Sequence, residues 1–152
     1  MNALPSQSRF IIGTEACERF SFYGMKSILM LYMTGHLLMS ENWATSTLHI
    51  FVGMVYLLPV AGAWLADKVW GRYKTILYIS LLYCVGHGVL ATADLFQTIE
   101  ARRYILMAGL LIIALGAGGI KPCVSAFMGD QIPDKSPRLM TKAFNAFYWA
   151  IN

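Results

Sequence analysis

Apolar residues fall into four long runs separated by short polar stretches. Residues 10–38 form the first, 43–66 the second, 75–93 the third and 104–127 the fourth. A fifth begins near 143 and stops at 152. About 20 mainly apolar residues cross a bilayer as a helix. The pattern therefore predicts an all-α, polytopic bundle with four spans and the start of a fifth. The last run is too short to cross, so the sequence is read as a fragment ending inside a helix. The second and third runs carry no charge, the fourth carries Lys121, and the first carries Glu15, Glu18, Arg19 and Lys26.

Composition supports a membrane chain. Of the 152 residues, 57% are hydrophobic and 13% charged, and the mean hydropathy is +0.55. Soluble domains carry about 25% charge, so a water-facing globule is excluded, as is a disordered chain. The first run has charges in its middle and no small-residue cleavage site, unlike a signal peptide. The net charge of +4 implies no nucleic-acid partner once the charges are placed. Seven cations (Arg9, Lys68, Arg72, Lys74, Lys135, Arg138, Lys142) fall in the N-terminal tail and two alternate loops, while Arg102 and Arg103 fall on the other side. The positive-inside rule then puts the N-terminus in the cytoplasm. A short polar N-terminus fits a bacterial inner (plasma) membrane. Cys17, Cys84 and Cys123 lie far apart in apolar segments and read as packing residues.

Charges within the spans carry the chemistry, because each costs about 2.5–3.5 kcal/mol at a span centre on insertion scales. Glu15 and Arg19 are four residues apart, Glu18 is three from Glu15, and Tyr23 and Lys26 extend the stripe. Such a stripe faces protein or water rather than lipid. It suits proton handling, because a carboxylate's proton affinity follows its cationic partner. A structural ion pair or a surface-lying amphipathic helix would be its plainer readings. Lys121 sits in Gly116-Ala-Gly-Gly-Ile-Lys-Pro122. Glycines permit close approach, and Pro122 predicts a bend at Lys121. Lys121 is either a snorkelling cation or a partner for Glu15 or Glu18. Between the second and third runs, Asp67 closes one helix, Gly71 allows a turn, and Arg72 and Lys74 open the next. No metal cluster, nucleophile elbow or phosphate loop is evident, so an enzyme is not expected.

Glu15-Thr-Ala-Cys-Glu18-Arg19-Phe20-Ser-Phe-Tyr23-Gly24 resembles the ExxERF signature of proton-coupled oligopeptide transporters, a branch of the major facilitator superfamily. The stretch from Gly118 to Gln131 resembles that family's second signature. Asp67 to Lys74 resembles the superfamily's cytoplasmic loop, and Phe147 to Asn152 the start of its fifth helix. The resemblance implies two six-helix bundles that import di- and tripeptides with protons by alternating access. Protons would be the coupling ion, with no cofactor. Glu15, Glu18, Arg19 and Lys121 would handle the proton. Arg19, Tyr23, Tyr56, Lys121 and Asn152 would hold the peptide. Lys26, Asp67, Arg72 and Lys74 would form gates, Lys26 toward the absent C-terminal bundle. A major facilitator carrier for nitrate or an amino-acid conjugate is the nearest rival reading. Phe22, Met128 and Ile132 depart from the family's usual Tyr, Gly and Phe.

Overall fold

The computed structural model describes residues 4–132 and 136–151. Among them the chain is helical, without strands. Five α-helices follow one another: α1 (Ser6–Leu31), α2 (Glu41–Leu65), α3 (Arg72–Ala91), α4 (Ile99–Asp130) and α5 (Pro137–Ile151). Single π turns extend α1 over Tyr32–His36 and α2 over Ala66–Trp70. Glu41–Trp70, Arg72–Leu95 and Ile99–Asp130 are each long and apolar enough to cross a membrane. With 26 residues α1 has the length, but its polar stripe keeps it out of that group.

Local chemistry sets the ends. Ser40 accepts a hydrogen bond from the Trp43 amide at 3.4 Å, and Thr98 one from Ala101 at 3.3 Å. These cap α2 and α4, with Glu41 and Glu100 in the first turns, where the helix dipole favours acids. Pro137 opens α5, where its missing N–H costs nothing. Gly71 takes φ +78°, so the turn between α2 and α3 needs a glycine there. The same handedness is forced on Leu38, at φ 52°. Arg103 clamps that turn, donating to the carbonyls of Leu37 (3.0 and 2.8 Å) and Leu38 (2.7 Å).

Helices α2 and α3 each pack flush on α4. A Cβ on Gly62 of α2 would lie 2.5 Å from the Gly119 Cα of α4. One on Gly116 of α4 would lie 2.7 Å from the Tyr83 Cα of α3. Small residues bring backbones together where lipid offers no hydrophobic drive. Helix α1 is different, since a Cβ on Gly13 or Gly24 would meet nothing within 4 Å. Larger side chains dock it instead: Phe22 stacks on Phe51 of α2 (5.8 Å between centroids), and Leu29, Met33 and Leu37 join the same core.

The bend expected at Pro122 does not break α4, which is continuous to Asp130 and keeps Lys121 in the helix. The close-packed Gly116–Gly119 turn just before it supports the backbone from both sides. Two of the departures noted above are packing residues, Met128 being fully buried and Ile132 nearly so, in one cluster with Ala143. The outward faces carry Phe20, Leu57, Val60 and Trp149, all largely exposed, as befits helices facing lipid or further helices.

Candidate functional site

The first-helix charges form one cluster. Glu15 and Glu18 face inward, 2% and 6% exposed. The Arg19 guanidinium lies between them. Its Nε and Nη2 donate to Glu15 Oε1 at 2.8 and 2.7 Å, and Nε lies 3.2 Å from Glu18 Oε2. The i, i+4 spacing makes the first contact local, and the planar guanidinium allows the second. Glu15 Oε2 and both oxygens of Glu18 are buried without a hydrogen-bond partner. Ionised, the cluster holds two negative charges against one positive. Burying an unpaired carboxylate costs several kcal/mol, so the arrangement calls for a further cation or a proton.

Lys121 supplies positive charge from α4 but forms no ion pair with either carboxylate. Its Nζ sits over two rings, 4.9 Å from the Tyr56 centroid and 5.7 Å from that of Phe22. The ring faces attract a cation that water has left. Phe22, where the resemblance expects Tyr, is thus a buried floor between Lys121 and Phe51. Tyr56 and Tyr23 are both exposed, and Tyr23 meets Phe22 edge-on at 5.7 Å. Arg19 and Tyr23 line a cavity of about 620 Å³ with Ala150 and Ile151 of α5. Asn152 lies outside the described residues.

Of the expected gate residues, Arg72 pairs with Asp130 at the end of α4, Nη1 to Oδ2 at 2.5 Å, rather than with Asp67. Asp67 and Lys74 are exposed and, like Lys26, form no ion pair among the described residues. Asp130 stands inside the second signature, but nothing in its local sequence marked it as a partner for α3.

Two further contact sets are not visible in the sequence because they join residues 58 to 66 positions apart. At the opposite end of the bundle, Asp94 accepts from the Tyr32 hydroxyl at 2.9 Å and lies 3.0 Å from His36 Nε2. Within the helices, His87 of α3 lies 3.0 Å from the Ser21 hydroxyl of α1.

Three helices long and apolar enough to cross a membrane, a first helix that carries buried charges and a glycine-rich stretch before Lys121-Pro122 on α4 make the described residues a membrane helix bundle. Residues 73–152 match the POT family model, and the chain belongs to that family. It is 47% identical to Peptide transporter family 1 of Drosophila melanogaster over 97% of its length, covering 20% of that protein. It is 43% identical to human Solute carrier family 15 member 2, again over 97% of its length and 21% of that protein. Among solved structures, the POT family transporter PepTSo matches with 45% identity and a TM-score of 0.87, over 98% of this chain and 30% of that one. A POT family transporter in complex with 5-aminolevulinic acid matches at 27% identity and 0.85, covering 97% of this chain and 30% of the other. The chain thus spans about a fifth of the length of the curated relatives it matches. It corresponds to a membrane-embedded part of those proteins.

Proposed function

We propose that this chain is the N-terminal part of a proton-coupled symporter of di- and tripeptides working by alternating access. The reading is a carrier in the cell's inner (plasma) membrane, not an enzyme, with the N-terminus cytoplasmic as the seven cations suggest. One observation carries it: Arg19 bridges two buried acids that keep three oxygens without hydrogen-bond partners. Protons are the coupling ion, and no cofactor is needed.

The mechanism is an exchange of partners. With both acids ionised, Arg19 and the field of Lys121 neutralise the pair. A proton on Glu18 removes one negative charge, and the surplus positive charge then attracts the carboxylate of a zwitterionic peptide. Tyr23 and Tyr56 are the proposed flanking contacts, and Asn152, which lies outside the described residues, is a further proposed contact to the peptide. One charge crossing 100 mV supplies about 2.3 kcal/mol, a roughly fiftyfold accumulation. Asp67, Arg72 and Lys74 act in the cytoplasmic gate, and Lys26 pairs with the C-terminal bundle.

In the full-length protein, Glu18→Gln is expected to abolish proton-driven dipeptide uptake while preserving peptide counterflow. Undiminished driven uptake in that variant would overturn the assignment. Competition with nitrate and amino-acid conjugates separates the rival carrier reading. That reading draws support from the relative solved with 5-aminolevulinic acid.

A further inference from the structure

We propose that His87 is a positioning residue for the proton-coupling stretch of α1, holding it to α3 through Ser21. The role within coupling rests on the transport reading above; the hydrogen bond itself does not.

Helix α1 has no flush seam with α3. Between them lies a cavity of about 570 Å³ that reaches from Arg9 and Thr14 to Glu18, Ser21 and Ser80. Two hydrogen bonds cross from one turn of α3 at its far end. Tyr83 donates its hydroxyl to the Glu18 carbonyl at 3.3 Å. His87 Nε2 and the Ser21 hydroxyl oxygen are 3.0 Å apart.

The direction of the second bond follows from the first ring nitrogen. His87 Nδ1 lies 3.2 Å from the Tyr83 carbonyl. A carbonyl only accepts, so Nδ1 carries the hydrogen. In the neutral ring Nε2 is then an acceptor, and Ser21 donates to it. Both ring nitrogens are satisfied, and the His87 and Tyr83 rings lie 4.5 Å apart. Tyr83 is in turn seated against Gly116 of α4. The anchor therefore runs from the flush-packed body to α1.

Ser21 had a local alternative. Thr14, Thr34, Thr75 and Thr141 each donate to the carbonyl four residues before them. Ser21 instead reaches across to another helix, three residues after Glu18. Glu18 accepts no hydrogen bond at either carboxylate oxygen. Its place relative to Lys121, on α4, is then fixed by the rotation of α1 about its own axis, and the links to His87 and Tyr83 hold that rotation.

The test uses the full-length transporter in proteoliposomes. His87→Leu and Ser21→Ala should each lower proton-driven dipeptide uptake about tenfold while counterflow stays within about twofold. The double variant should be no worse than either single one. His87→Gln, which keeps a donor and an acceptor, should recover most of the activity. Equal losses of driven uptake and counterflow, multiplying effects in the double variant, or wild-type coupling in Ser21→Ala would each overturn the proposal. A ¹⁵N-histidine spectrum of the same protein gives a readout free of substrate. The signal lost in His87→Gln should report an Nδ1–H tautomer and shift in Ser21→Ala; an Nε2–H tautomer overturns the proposal. Absence of driven peptide uptake in the wild type would instead strike at the transport reading, and the spectrum would still decide on the hydrogen bond.

Discussion

Lys121 rests over the ring of Tyr56 rather than on a carboxylate. Its ammonium lies 4.9 Å from the centroid, while both acids beside it already share Arg19. The lysine is thereby held near the cluster without being bound up in it. A cation positioned over a ring face, an interaction worth about 0.5–2 kcal/mol, stays in place and keeps its ammonium hydrogens open to a further partner.

Tyr56 is expected to set substrate affinity through that contact. Tyr56→Leu should raise the KM for dipeptide by about 2- to 30-fold, and Tyr56→Phe, which keeps the ring face for Lys121, by less. Uptake kinetics at fixed proton gradient check this. Equal KM changes in the two variants would mean that the hydroxyl, not the ring, matters.

Arg19 should be the costliest single loss in the cluster. Arg19→Leu leaves two buried acids uncompensated, a penalty of about 3–5 kcal/mol for breaking a buried pair. Arg19→Lys offers a point charge in place of the fork that touches both carboxylates, so it should recover only part of the loss. Thermal unfolding in detergent reads this directly. Adding Glu15→Gln to Arg19→Leu should restore stability; no recovery would show that the charges are balanced by other groups.

Gly62 and Gly13 should respond oppositely to the same substitution. Gly62→Ala drives a methyl into the backbone of Gly119, and overpacking of that kind costs about 1–3 kcal/mol. Gly13→Ala meets open space and exchanges a poor helix former for the best one, with a gain of up to about 1 kcal/mol. Melting temperatures of the paired variants, measured side by side, test the contrast.

Arg72 and Asp130 form an exposed pair, so each alanine variant should cost no more than about 1 kcal/mol in stability. A larger effect on transport than on stability would support the proposed gate role. The exchanged pair Arg72→Asp with Asp130→Arg should regain uptake lost in Arg72→Asp alone. Failure of the exchange would indicate that one of the two has another partner during the cycle.

Much of this was legible from residue order. The apolar runs marked the helices because bilayer thickness sets their length, and the spacing of Glu15, Glu18 and Arg19 placed them together because helical neighbours are local. The rest depends on which helices meet. Asp130 could not be matched to Arg72, 58 positions away, without knowing that α3 starts where α4 ends. Lys121 invited an acidic partner, since charge suggests charge, but the approach of α2 put a tyrosine ring there instead. His87 was hidden inside an uncharged span, where one polar residue leaves the hydropathy pattern intact. Arg103 looked like a loop cation until Leu38 proved to need its clamp.

The backbone contact between Gly62 and Gly119 has a consequence for how motion in the whole transporter is to be measured. Where two helices touch backbone to backbone, no rotamer stands between them to rearrange at that point, which leaves little freedom to separate there. Spectroscopic labels on α2 and α4 should keep a constant spacing through the cycle and serve as an internal ruler. A label on α1, read against that ruler, would register displacements of Glu15, Glu18 and Arg19 themselves.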